Sequence, residues 1–429
     1  MPSFTLSYGR RNIEFTLPAE HLLRLLTGNR NGNKKSEPEI IKEALAHPIA
    51  SPRLGEIVQP GEKICLVISD ITRSWQKQSL FLPYLVGELN EAGIHDADIR
   101  FLCAVGSHRQ QTEAEHRLLL GKELADRFTV TDHDCRDQAN LVYLGETSFG
   151  TPVWINRLAV ESDRIVLTGA AVYHDMVGWG GGKKSILPGI AGYETIMANH
   201  KLSLSPVKGE GTHPNVRSGN IEGNPLHADM LEAADMVKPS FLLNVVMDEA
   251  GDIGGAVAGD YVEAHSAARR MVGLTDGVPI DARADLIVAS AGGFPKDIDL
   301  YQASKAISNS KEALQPGGTL ILLAECGEGL GDAELASIIT DFDDNLARER
   351  ELRRSFTIAK YTGFLITEAA AKYRIILVSN LDPIIPAKAG LQTAPSLAAA
   401  LALARETLPK NYKTYVIPLA ANVLPIFPG

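Results

Sequence analysis

Four cysteines in a chain of 429 residues, Cys65, Cys103, Cys135 and Cys326, lie far apart and form no CxxC pair. Three sit in or beside apolar runs, where a free thiol behaves as a small hydrophobe, and the scatter fits a reducing compartment rather than a disulfide framework. The opening MPSFTLSYGRRNIEF has no continuous apolar h-region, and no apolar stretch reaches the roughly 18 residues a membrane helix needs. A cytoplasmic protein is expected. There is no long basic run, and the net charge is −10, which argues against nucleic acid and against an anionic membrane surface as partners. No GxGxxG follows the first strand-like run, so a conventional dinucleotide site has no support. HExxH is missing, and HDMV and MANH stand 26 residues apart with no cysteine between them, a poor frame for structural zinc. Internal repeats and low-complexity tracts are also lacking. What these absences leave is a globular protein with a small molecule as its partner.

With 45% hydrophobic residues over this length, two domains with sizeable cores are expected. From Glu62 onward KICLVISD, LFLPYLVGELNEAGI, DIRFLCAVGSH and TEAEHRLLLGKELADRF alternate strand-length apolar runs with helical patterns. That alternation predicts an α/β fold with a mainly parallel, Rossmann-like sheet. FLLNVVMDEAGDIGGAVAGD reads as two strands joined by a turn, and NPLHADMLEAADMV as a helix. After a connecting helix at about Tyr261–Leu274, a second α/β alternation begins with DLIVASAGG, LYQASKAISNSKEAL, GGTLILLAEC and RIILVSNL. The expected division is an N-terminal domain, 1–265, and a C-terminal domain, 266–429, with the closing apolar TYVIPLAANVLPIF a strand of either one.

GWGGGKKSILPGI, Gly178–Ile190, joins glycines to two lysines and a serine as a phosphate cradle would. An ordinary P-loop is rejected, because the frame is one residue out whichever of Lys183 and Lys184 is chosen. In open α/β sheets ligands bind outside the carboxyl ends of the strands, and those ends carry Asp70, Arg73, His108 and His174. His108, His174 and His200 follow strands or loop–helix segments, where histidine serves as acid, base or metal ligand; the plainer reading of each is a surface residue. Arg73 has the planar fork that grips a carboxylate, although a surface ion pair accounts for it equally. Tyr301 and Lys305 stand at i and i+4 with Gln302 between them, and so share a helix face that either is simply solvated or binds a carboxylate.

DITR, AVGSHRQQT, YHDMVGWGGGKKSILPGI, ANH, NIEGNP and KDIDLYQASKA, in that order, resemble the nickel-dependent lactate racemase family over roughly residues 10 to 425. The resemblance implies two Rossmann-like α/β domains with the active site in the cleft between them, the first carrying the cofactor and the second closing over the substrate. It implies a nickel-pincer nucleotide, a pyridinium mononucleotide with thioamide and thiocarboxylate arms, joined covalently through Lys184. On the same basis His200 is the nickel ligand, Asp70, Thr72, Gly180, Gly181 and Gly182 are cofactor contacts, and His108 and His174 are the acid/base pair. Arg73, Tyr301, Gln302 and Lys305 are the implied substrate contacts. The implied activity is racemisation of a small 2-hydroxy acid, with hydride passing reversibly to the pincer ring, and enzymes that build the cofactor are the implied maturation partners. The alternatives are a non-catalytic nucleotide-binding or regulatory protein on the same fold and an ATP-using enzyme.

The chain departs from the family pattern beside the expected pocket. DITRSWQ has Ser74 and Trp75 where a proline-led turn is usual, and GSHRQQT has Gln110 where proline is common. Where some relatives place a tryptophan, KYTGFLITEAA offers Tyr361, Gly363 and Phe364. These changes point to a 2-hydroxy acid other than lactate, with malate favoured because Gln110 could meet a second carboxylate.

Overall fold

The computed structural model describes residues 1–29 and 35–427. The chain forms two compact units, one of Arg30–His200 with Asn220–Thr275, the other of Met1–Asn29, Lys201–Gly219 and Asp276–Gly429. Residues 1–29 and 201–219 thus group with the C-terminal half, whereas a single cut at 265 assigns them to the N-terminal half.

The first unit is built on a six-stranded sheet in the order Ile253–Gly259, Phe241–Met247, Arg164–Ala170, Ile64–Ser69, Ile99–Ala104 and Val130–Asp132. All neighbours are parallel except Phe241–Met247 and Ile253–Gly259, the antiparallel pair read from the sequence. Ile64 to Ile68 are buried without alternation, as in a parallel strand covered on both faces. The helix Gln78–Glu91 places Phe81, Leu82, Leu85 and Leu89 in the same core as Ile64, Leu66 and Ile68, its apolar residues recurring at helical spacing. Thr112 caps Glu113–Ala125 with a reciprocal Glu115 box, and Asn224 caps Pro225–Val237 with proline at its first position. The ends of Ile64–Ser69, Ile99–Ala104 and Arg164–Ala170 lead into the segments that carry Asp70–Arg73, His108 and His174.

The second unit has an entirely parallel six-stranded sheet: Gln392–Ala394, Arg374–Val378, Leu314–Leu323, Ala284–Ser290, Thr414–Ile417 and Leu22–Leu25. Its strands feed two cores by alternation: Ile287 and Ala289 face one layer, Leu286 and Val288 the other. The closing strand lies in this sheet, between Ala284–Ser290 and Leu22–Leu25. Asp299 starts the helix Leu300–Ser310 by accepting the Gln302 N–H at 2.7 Å.

All four cysteines are buried and unpaired, as small hydrophobes would be. Among the described residues no helix is long and apolar enough to cross a membrane.

Candidate active site

The turn after Ile64–Ser69 is held by Asp70, whose carboxylate is 3% exposed. One oxygen accepts the Thr72 N–H at 3.1 Å and the Thr72 hydroxyl; the other faces His108 Nδ1 at 2.5 Å. Burial pushes the Asp70 carboxyl up, but the His108 hydrogen bond and charge, aided by Thr72 and Arg73, outweigh it and hold the group below the usual carboxylate range. The His108 side chain is half exposed, with Nδ1 engaged by Asp70. Arg73 donates to the Thr72 hydroxyl at 2.8 Å and to its carbonyl at 3.3 Å. A chain of contacts therefore runs His108–Asp70–Thr72–Arg73.

Lys184 Nζ lies 2.9 Å from His174 Nε2. The other ring nitrogen of His174 faces the Met176 N–H and an Asp175 carboxylate oxygen, each at 3.2 Å. His200, 2% exposed near the end of the helix Tyr193–Lys201, donates from Nδ1 to the Ile196 carbonyl at 2.9 Å. That leaves Nε2 as its lone-pair nitrogen. Burial, followed by the Lys184 charge, lowers its pKa to about 3, against the opposing pull of the Ile196 carbonyl. The ring is a neutral donor at ordinary pH.

The glycines of this stretch are also required by the protein's own packing. A Cβ on Gly181 would come within 2.6 Å of Asn244 Oδ1, and one on Gly182 within 2.7 Å of the His265 ring; both residues have positive φ, 80° and 57°. Glycine is required here by packing against the protein's own side chains and by the hand of the turn. The turn also sends its two lysines to different partners. Lys183, 3% exposed, reaches His227 Nδ1 at 2.8 Å, while Lys184 meets His174. Burial, then the charges of Arg269 and Lys184, lower the Lys183 pKa to about 7. His265 donates to the Gly180 carbonyl at 2.9 Å. His227 and His265 are each lowered to about 3, chiefly by burial and then by Lys183.

Three histidines that stay neutral, His200 and His265 buried and His227 partly buried, set an acid limit. Their folded pKa values, about 3, lie below the ordinary 6.5, so below 6.5 the unfolded chain binds protons that the folded chain refuses, and stability falls as pH falls. The urea midpoint of the unloaded protein is therefore expected to drop continuously from about pH 6.5 towards pH 4. A flat profile over that window would contradict the buried neutral assignment.

In the second unit Tyr301, Gln302 and Lys305 share the first turns of Leu300–Ser310, with Lys305 Nζ donating to Gln302 Oε1 at 2.8 Å. Tyr301 packs partly against the core, which replaces the solvated-face reading. Tyr361 and Phe364, the residues offered in place of a pocket tryptophan, are core side chains: Tyr361 is 0% exposed, and its hydroxyl donates to Thr212. Trp75 is 43% exposed and Gln110 is exposed. His133 uses both ring nitrogens inside the core, on the Ala191 carbonyl and Asn156. Sequence reasoning missed Gln111, whose Oε1 accepts the Ile71 N–H at 3.0 Å and ties the two loops together. It also missed Asn244, which holds the Gly182 N–H at 2.9 Å. Asn244 was legible as the one polar residue in FLLNVVM; Gln111, one polar residue among several in a loop, carried no signal.

Two family models match: the lactate racemase N-terminal domain over residues 8–211 and the lactate racemase C-terminal domain over residues 278–424. Lactate racemase of Lactiplantibacillus plantarum is 32% identical over 99% of this chain and its own full length. That of Thermoanaerobacterium thermosaccharolyticum is 34% identical over 77% of this chain and 76% of the relative. The structure of the T. thermosaccharolyticum lactate racemase apoprotein superposes with a TM-score of 0.91 at 29% identity, covering 99% of this chain and 100% of that one. A Thermotoga maritima protein shares the fold alone, with a TM-score of 0.66 at 17% identity over 92% of this chain and 99% of the other. The enzymes among these relatives and the match of both domains exclude the regulatory and ATP-using alternatives: the chain belongs to the lactate racemase family, and it is an isomerase, a racemase.

Proposed function

We propose that the protein interconverts the D and L forms of a small, lactate-like 2-hydroxy acid, with malate as the favoured substrate, on a nickel-pincer nucleotide joined through Lys184. The observation that carries this reading is the contact of Lys184 Nζ with His174 Nε2, which puts an amine able to anchor a group against an imidazole able to move a proton.

The residues fit the group. His200 offers one buried, neutral nitrogen, suited to nickel. Among the described residues no group of three histidine, cysteine or acidic side chains could hold a metal, so a nickel ion bound here would draw its remaining donors from the nucleotide. Lys184 would provide the covalent link, with Asp70, Thr72 and Gly180–Gly182 beside it. When bound, the nucleotide supplies the acceptor for the hydrogen on C2, the task nicotinamide performs in dehydrogenases.

The chain's own side chains do the rest. Arg73 grips the substrate carboxylate through two N–H donors and fixes C2 in place. Inverting a carbinol carbon requires that it become planar and be rebuilt from either face, so a proton acceptor is needed on each side. His108 Nε2 serves one face and His174 the other, each taking or returning the hydroxyl proton. Asp70 fixes the orientation of His108 through its hold on Nδ1. Tyr301, Gln302 and Lys305 are the second unit's substrate contacts, with Lys305 and the Tyr301 hydroxyl as donors to polar groups on the acid.

Cofactor-building enzymes are the maturation partners, so protein made in a host without them is expected to be folded and inactive. The direct test offers single enantiomers of malate, lactate and other 2-hydroxy acids to the loaded enzyme and follows the opposite enantiomer by chiral chromatography. Malate racemised fastest is the expected result. Lactate racemised fastest, with malate inert, would remove malate; no racemisation of any 2-hydroxy acid would remove the whole reading.

A further inference from the structure

Asn244 sits in the middle of the apolar strand Phe241–Met247 and is entirely shut off from solvent. Burying an amide is costly unless it is hydrogen-bonded, and its Oδ1 accepts the Gly182 N–H at 2.9 Å. Gly182 is itself buried, so no water can take over that N–H. The turn then closes through the Lys184 N–H, which donates to the Gly181 carbonyl at 3.2 Å. From this one pinned residue Lys183 departs towards His227 and Lys184 towards His174.

The amide nitrogen of Asn244 donates to the Leu243 carbonyl at 3.0 Å. Asn244 is the register partner of Gly169, where a Cβ would lie 3.6 Å from Asn244 Nδ2 and 3.6 Å from Ser69 Oγ. Ser69 Oγ donates to Gln76 Oε1 at 3.1 Å, and Gln76 is the last residue of the turn Ile71–Gln76 that bears Arg73. Polar atoms of Asn244, Ser69 and Gln76 thus surround the space beside Gly169.

We propose that Asn244 is the positioning residue of the Lys184 turn: by holding the Gly182 N–H it sets the Lys184 amine against His174 and so governs attachment at Lys184. This rests on the reading of Lys184 as the attachment point.

The test uses the full chain, as wild type, Asn244→Ala and Asn244→Asp, the last keeping an acceptor oxygen of the same shape. Each is co-expressed with cofactor-building enzymes and weighed intact; each is also made without them and treated with limiting acetic anhydride, with acetylation of Lys184 mapped by peptide mass relative to surface lysines. Asn244→Ala is expected to lose adduct about 10- to 100-fold while Asn244→Asp stays within about threefold of wild type, the scale on which supporting contacts act. Lys184 acetylation should change in the alanine variant alone, even though both variants lose some urea stability. Full adduct in Asn244→Ala, or equal loss in both variants, overturns the proposal, the latter leaving Asn244 a purely structural residue. Wild type without adduct would instead contradict the attachment reading. In that case unchanged Lys184 acetylation in Asn244→Ala overturns the positioning role, and an altered rate in that variant alone supports it.

Discussion

Lys184→Ala protein is expected to show no racemisation above the uncatalysed rate and to carry neither adduct nor nickel, while its urea midpoint stays close to that of unloaded wild type. The adjacent lysine gives the contrast. Lys183 is buried against His227, and Lys183→Ala should cost on the order of 2 kcal/mol of stability through lost packing and an unpaired histidine, yet keep the adduct. The two lysines share one turn and one composition, and only their directions differ. Adduct on Lys184→Ala and none on Lys183→Ala would reverse the assignment.

Removing either acid/base histidine is the second large effect. His108→Ala or His174→Ala should lower kcat by about 10²- to 10⁴-fold, the usual worth of a positioned proton-transfer group, with nickel content unchanged. The two losses should not be equal in the two directions. Each histidine serves one face, so the ratio of D-to-L and L-to-D rates at saturating substrate should shift in opposite senses in the two variants, while kcat/KM stays equal in both directions because the enantiomers are isoenergetic. Asp70→Asn should reproduce a milder form of the His108 loss, because Asp70 holds His108 Nδ1 without touching substrate. Wild-type rates in either alanine variant would remove that histidine from the mechanism.

Much of the fold was legible because its strands are buried on both faces. KICLVIS is apolar without interruption, as a covered parallel strand must be, and Asn224–Pro225 announces a helix by cap chemistry alone. The grouping of residues 1–29 with the C-terminal half was not legible. It rests partly on Leu6, Tyr8 and Leu17, which share a core with strands of the second sheet, and partly on Leu22–Leu25, which join that sheet through the backbone of Thr414–Ile417. A hydrophobic pattern shows that such residues are buried, but not against which sheet.

The candidate site divides in the same way. Asp70, Arg73, His108 and His174 could be placed from the positions of strand ends, which the topology of an open α/β sheet turns into a ligand-facing rim. What spacing could not show was which partner each would meet. Lys183 and Lys184 are neighbours in sequence, and their separation into a buried pair with His227 and a contact with His174 is decided by the Asn244–Gly182 bond, made 62 residues away. The spacing of the glycines marked the turn, but not that Asn244 and His265 fill the space where side chains on Gly181 and Gly182 would lie. Tyr361 and Phe364 occupied an aligned position yet belong to the core, since they sit on the inward face of the helix Ile358–Lys372.

The most direct test of the account is the intact mass and nickel content of wild-type protein co-expressed with cofactor-building enzymes, with the adduct located by peptide mapping. A covalent adduct of a mononucleotide's mass on Lys184, with one nickel per chain, is the expected result. Protein that racemises a 2-hydroxy acid while carrying no adduct and no nickel would contradict it.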